Sequence, residues 1–470
     1  MKTNAKKITT VVLCGVMASA ALAGCAGGSD YPVEEGATVL KLWAHSFEDW
    51  ADNLLTEQVK EFNSILDDGI QIDLKFYGDD NAYDTAIAAG FENDSVADIF
   101  MAQYDRIYTY LKAGYIAPVG DYLTEEEQND FFDTARQEVT YVDPDDGKEK
   151  LYACPWYLEP AMMFFYRKDI FEQVGVDKVP VSWGELYDAC DKVAGYMDSS
   201  RNQFAISIPT NAVELTWTTY GMVQDTTGGL AVDESWLHSR VNTNEEAFKD
   251  CAEFWYTLAN QSYAPIASLT PEGYTDSVDA LCEGKVGMCL GGSWSIGRIY
   301  SYYPEMVDKI GVAKMPTLSG DQSGVTSCNG GWTYVMSAKM NETKRALAAE
   351  FLRWYFFKPE NASRYFDEAY YCKAPTTKSV KDYIETAEKS VNPEWVACVN
   401  EVAENAVMAP SCAWAVSNQI GQLFEYMLNH AKEGRTFAAL FSEKIAEVKA
   451  AIDTTISQPG YEGNPKYEAS

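Results

Sequence analysis

Between Val39 and Lys112 the hydrophobic period switches repeatedly between two and about three and a half residues. Val39–Ala44 is a short apolar run suited to a buried strand. Asn53–Ile65 carries Leu54, Leu55, Val59 and Phe62 at helical spacing. Ile70–Tyr77 alternates, with Ile70, Ile72, Leu74 and Phe76 on one side. Tyr83–Phe91 is again helical, Val96–Met101 reads as a buried strand, and Arg106–Lys112 as a helix that stops at Gly114. Strand and helix in alternation at these intervals predict a parallel sheet with right-handed crossovers. Ligands on such sheets bind beyond the carboxyl ends of the strands. That places His45 and Ser46, then Gln103, Tyr104 and Asp105, at one rim.

A second α/β set follows. Ser182 caps a helix running to Gly195, Phe204–Ile208 is a strand, and Asn244–Tyr263 a long helix. Val286–Leu290, Ile310–Ala313 and Trp332–Ser337 read as strands. Asn341 caps a helix ending near Phe357, and Ile420–Ile452 is helical with a break at Gly434. Val139–Val142 and Lys150–Tyr157 flank Asp143-Pro144-Asp145-Asp146-Gly147. The acids there suggest a calcium loop, but the downstream glutamate is not at the required spacing, and a hairpin turn ending in Asp-Gly fits better. At 470 residues the chain is too long for one core, so two lobes are expected.

The N-terminus fixes the compartment. Lys2, Lys6 and Lys7 precede an uncharged apolar run from Ile8 to Ala23, the pattern of a secretory signal too short to span a bilayer. It ends in Leu22-Ala23-Gly24-Cys25, which resembles the bacterial lipobox, whose cysteine becomes the lipidated N-terminus. Residues 1–24 are then the signal and 25–37 a flexible tether opening Ala26-Gly27-Gly28-Ser29. The formal charge is −33. Losing the signal removes three lysines and no acid, which makes it −36. Such a balance argues against nucleic acid and acidic lipid surfaces and leaves neutral or cationic ligands open. Of eleven cysteines, Cys14 leaves with the signal and Cys25 takes lipid. The remaining nine lack paired C-x-x-C spacing and read as free buried thiols rather than a zinc site. No metal or cofactor is expected.

Five stretches carry a resemblance. They are "ADIFMAQYDRIYTYLKAGYIAPV" (Ala97–Val119), "YACPWYLEPAMMFFYRKDIFEQVGV" (Tyr152–Val176), "VPVSWGELYDAC" (Val179–Cys190), "ALCEGKVGMCLGGSW" (Ala280–Trp294) and "NGGWTYVMSA" (Asn329–Ala338). In this order behind a lipobox, they resemble the extracellular solute-binding proteins of family 1, the sugar receptors of ABC importers related to maltose-binding protein. The resemblance implies an α/β, two-lobe periplasmic-binding-protein fold, each lobe a mostly parallel sheet flanked by helices. It implies an N-terminal lobe of 38–157 plus 331–375, a C-terminal lobe of 158–330 plus 376–460, and a tail of 461–470. Crossings fall near Tyr157–Pro160, Ser327–Gly331 and Ala374–Thr377, and the partners implied are a carbohydrate, importer permeases and a membrane reached only through the lipid of a monomeric receptor.

A sugar offers hydroxyls to carboxylates, amides and Arg, and a C–H face to Trp and Tyr. The candidates are therefore Asp105 and Arg106 after a strand, Glu159 at the first crossing, Trp294 after two glycines, Trp332 at the second crossing, and Trp414 before a helix. Trp217, Gln224 and His45 follow. Asp105 has a competing reading as a helix cap, and each Trp as core. Three rival functions remain: a surface glycoside hydrolase, an adhesin, or the same fold holding a non-sugar such as an amine. Against an enzyme, the chain has no nucleophile elbow or metal motif, and its three histidines, His45, His238 and His430, form no constellation.

Overall fold

The computed structural model describes residues 38–66, 70–78, 80–217, 222, 231–233, 235–265, 274–386, 391–408, 414–459, 461, 463, 464 and 466. The signal, Cys25, the tether and Gln224 lie outside the described residues, as does most of the tail.

One sheet holds the first third of the chain. Thr38–His45 pairs in parallel with Ile70–Tyr77 on one side and with Ile99–Gln103 on the other. Trp332–Ser337 returns from far down the chain and adds antiparallel to Ile99–Gln103, with Ile116–Ala117 and Ala153–Pro155 beyond it. Helices Asp49–Asn63 and Asp80–Glu92 cross between the parallel strands. A second sheet runs Phe204–Ser207, Val286–Gly291, Met163–Arg167, Ile310–Ala313. Its first pair is parallel and the next two are antiparallel, and the first sheet has two parallel and three antiparallel pairings, so neither sheet is mostly parallel as expected. The chain enters Met163–Arg167 directly from a crossing strand, without a helix, and nothing forces the parallel direction there.

The second sheet is covered on both faces. In Met163–Arg167 the period of two sends Met163 and Phe165 to one apolar cluster and Phe164 to another. The first of these clusters also holds the core of the first sheet. Between the sheets lies a third, ordered Ala374–Pro375, Tyr157–Pro160, Cys328–Gly330, Val407–Met408. Its first three strands are the segments expected to cross between lobes.

Local chemistry accounts for the helix ends. Ser182 and Glu185 form a capping box on Trp183–Tyr196, and Asn341 accepts from the Lys344 amide at the start of Glu342–Phe356. The break at Gly434 (φ 73°) separates Trp414–His430 from Phe437–Ile456. The acidic turn closes the hairpin of Thr140–Val142 and Glu149–Leu151, where the Asp143 carboxylate accepts from the amides of Asp145 and Asp146. Eight cysteines, Cys154 to Cys398, are free thiols, seven of them buried, whereas Cys412 lies outside the described residues. Among the described residues there is no cluster of His, Cys, Asp or Glu that could hold a metal. No described helix is long and apolar enough to cross a membrane.

Candidate ligand-binding site

The rim predicted from strand direction is one wall of a cleft. Gln103 ends its strand, and Tyr104 and Asp105 begin the short 3-10 turn that follows. Trp332 stands directly opposite Gln103 because its strand runs the other way. The floor comes from the third sheet, with Glu159, Ala161, Asn329, Gly330 and Gly331. The far wall is Trp217 and Trp294. The cavity between them is about 130 Å³.

Each wall is positioned by its neighbours. Gly331 carries the chain from the third sheet into the first at φ 138°, where a Cβ would stand 2.4 Å from the Tyr157 carbonyl oxygen. Only glycine makes that passage without strain. Trp294 follows Val286–Gly291, and the Ser293 amide donates to the Pro160 carbonyl at 2.8 Å, tying this turn to the first crossing strand. The Trp294 ring lies against Gly292, so closely that a Cβ there would meet it at 2.1 Å. Trp294 and Trp217 both pack against a small apolar cluster of Ala161 and Cys328 at the floor. The Cys328 thiol donates to the Trp217 carbonyl at 3.3 Å.

Of the predicted residues, Asp105, Glu159, Trp217, Trp294 and Trp332 line this one cleft. Asp105 is not a cap: the helix Ile107–Lys112 starts after Arg106 and has no side-chain cap. Trp332 is 7% exposed and packs on His45, Phe47 and Tyr83, with ring centroids 4.9–5.9 Å apart, so it is mostly core with one edge in the cleft.

Two other candidates lie elsewhere. Arg106 does not line the cleft. Its guanidinium turns to Asp84 at 3.2 Å, because the 3-10 turn points successive side chains about 120° apart. His45 lies behind the Trp332 ring rather than at the surface of the cleft. Trp414 opens the helix Trp414–His430, but its side chain lies outside the described residues. Gln103, Tyr104 and Asn329 were not chosen from the sequence, though the first two sat on the predicted rim. The Asn329 amide nitrogen donates to the Ala403 carbonyl at 2.8 Å, which leaves the amide oxygen as its acceptor end.

The sequence of the bacterial extracellular solute-binding protein family matches over residues 47–362, about two thirds of the chain. The chain belongs to this family. A maltotriose-binding protein from Pyrococcus abyssi (strain GE5 / Orsay) is 25% identical over 284 residues, which cover 60% of this chain and 54% of that protein. The chain thus spans about half the length of that relative. Among solved structures, an ABC transporter solute-binding protein from Thermotoga lettingae, bound with alpha-D-tagatose, superposes with a TM-score of 0.67 at 20% identity. The match covers 88% of this chain and 100% of that one. The GacH receptor of Streptomyces glaucescens, solved unliganded and with acarbose, gives 0.68 at 18% identity over 88% and 98%. These likenesses establish the two-lobe fold.

Proposed function

We propose that this protein is the receptor of an ABC importer and captures a carbohydrate, best an oligosaccharide, between its lobes. The observation that carries this is the meeting of Trp217, Trp294 and Trp332 with Asp105 and Glu159 in one cleft floored by crossing strands. Flat indoles suit the C–H faces of sugar rings, and carboxylates accept from paired hydroxyls. The names of the relatives, a maltotriose-binding protein and receptors holding tagatose or acarbose, support the same class. At about 130 Å³ the cavity is smaller than the ~300–1,000 Å³ that encloses a drug-sized ligand. It therefore grips one ring of a longer saccharide and leaves the others toward the mouth.

In this reading the lobes are 38–157 with 331–375 and 158–330 with 376–460. They close by bending at the third sheet, whose short strands absorb the rotation. Cys25 carries the lipid that holds the receptor at the outer face of the cell membrane, and importer permeases read the closed form. In this reading the ligand is released unchanged, as expected of a receptor that hands its solute to a permease. A thermal-shift screen over mono- and oligosaccharides tests this, since a ligand that binds only the native state raises the melting temperature. The expected hit is recovered intact after long incubation. A cleaved product, or no saccharide response beside a response to another solute class, overturns the reading.

A further inference from the structure

Glu159 reaches the cleft with a partner from the neighbouring crossing segment. Lys373 directly precedes Ala374–Pro375, which pairs with Tyr157–Pro160 so that Ala374 faces Leu158. The Thr376 hydroxyl donates to the Pro155 carbonyl at 2.8 Å and pins the segment. From this position the Lys373 ammonium lies 2.9 Å from Glu159 Oε1, with the two side chains only 10% and 16% exposed. Three aromatic rings surround it, with centroids at 4.2 Å (Tyr157), 5.5 Å (Phe47) and 5.7 Å (Tyr365). A cation so placed is held by the ring faces as well as by the carboxylate. Burial by itself would lower the Lys373 pKa. The Glu159 carboxylate and the phenols of Tyr157 and Tyr365 outweigh that and keep it well above its usual value.

The second carboxylate of the cleft has a more distant cation, which it shares with Asp84. Asp105 lies 4.0 Å from the Arg106 Nε, although Arg106 itself points elsewhere. Both acids that line the cleft thus have a basic neighbour, in a chain whose formal charge is −33. The charge of the whole chain is therefore a poor guide to the charge a ligand meets.

We propose that Lys373 is the positioning residue of this site: its caged ammonium fixes Glu159 as a charge-compensated acceptor, which selects neutral polyhydroxyl ligands over amines. The inference rests on the cleft being the binding site proposed above. Without the ammonium, a buried carboxylate faces the cleft uncompensated, and the most favourable new partner is a cationic ligand.

The experiment compares the parent with Lys373→Met, which fills the cage without charge, and Lys373→Arg, which restores it. Each is titrated calorimetrically with maltotriose and with glucosamine at neutral pH, where most of the amine is protonated. Apo melting of each variant reports folding. The expected result is that Lys373→Met loses about tenfold or more in maltotriose affinity and gains several-fold for glucosamine, while Lys373→Arg keeps the parent's preference. Equal preference in the Met and Arg variants overturns the proposal, even if both are weakened, because a purely structural lysine would not change the ranking of ligands. If the parent responds to no saccharide, the carbohydrate reading fails separately. The glucosamine arm still decides, since a gain in Lys373→Met alone supports the role of the ammonium and its absence refutes it.

Discussion

Gly292→Ala moves the cleft's central aromatic without deleting it. A Cβ at Gly292 would meet three atoms of the Trp294 ring at 2.1–2.4 Å. Carbon atoms prefer separations of ~3.5–4.0 Å, so the ring must withdraw by about 1.5 Å or swing to another rotamer. The backbone itself raises no objection, because Gly292 is not among the glycines with positive φ. A stacked aromatic contributes about 1 kcal/mol beyond its buried area, and as an anchor in a cleft it behaves as a hot spot of about 2 kcal/mol. That corresponds to a loss of about thirtyfold in saccharide affinity. Apo stability should barely change, with a melting shift within about 4 °C, since the ring is only partly buried and sits at the cleft rather than in either large core. The assay is calorimetric titration with the saccharide that raises melting most, run beside Trp294→Ala as the full-deletion control. Unchanged affinity in Gly292→Ala would show that the position of the ring does not matter. A large fall in apo melting would return Trp294 to the core and refute the reasoning.

Other perturbations separate site from scaffold. Gly331→Ala combines φ 138° with a 2.4 Å approach to the Tyr157 carbonyl, so apo stability should fall by about 1–3 kcal/mol or more, read as a lower urea midpoint. Trp332→Ala removes a ring that is 7% exposed and should cost about 3–5 kcal/mol of stability by the same measurement, unlike Trp294→Ala. Burial alone would raise the Asp143 carboxyl, but the Tyr152 hydroxyl, the Asp145 and Asp146 amides and the Lys150 ammonium lower it to about 2. Because the folded value lies below the unfolded ~3.9, this stabilisation is complete above about pH 4 and fades as pH falls toward 2. Asp143→Asn should flatten that part of the stability–pH curve, and an unchanged slope would refute it. Cys25→Ala should move the protein from the membrane to the soluble fraction, and identical fractionation of parent and variant would remove the lipid anchor.

The parts of this molecule that could be read from the sequence are those where local pattern and tertiary context agree. Alternation marked Ile70–Tyr77, where Ile72 and Leu74 are buried and Asp73 and Lys75 are not, whereas Trp332–Ser337, buried at every position, was legible as a short continuous apolar run. The strand near Val96 begins instead at Ile99, because Asp98 leaves the apolar run to bind the Lys41 amide and the Lys344 ammonium. The direction of Met163–Arg167 was not legible, since parallel and antiparallel strands share the same alternation. Within the site, Trp294 and Glu159 stood out because glycines and prolines flank them. Arg106 was misplaced because one residue of 3-10 turn decides which way a side chain faces, and no propensity reports that. Lys373 could not be found at all: its partners, Phe47, Tyr157, Glu159 and Tyr365, come from three distant parts of the chain and meet only in the fold.

The most direct test of the account is a crystal structure of the protein with the saccharide that gives the largest melting shift. The expected result is one ring of the saccharide held between the lobes. Its face lies on Trp294, and its hydroxyls lie within hydrogen-bond distance of Asp105 and Glu159, with Lys373 still on the far side of the Glu159 carboxylate. A saccharide bound on an outer face with this cleft empty, or one held here without contact to Trp294 or either carboxylate, would contradict it.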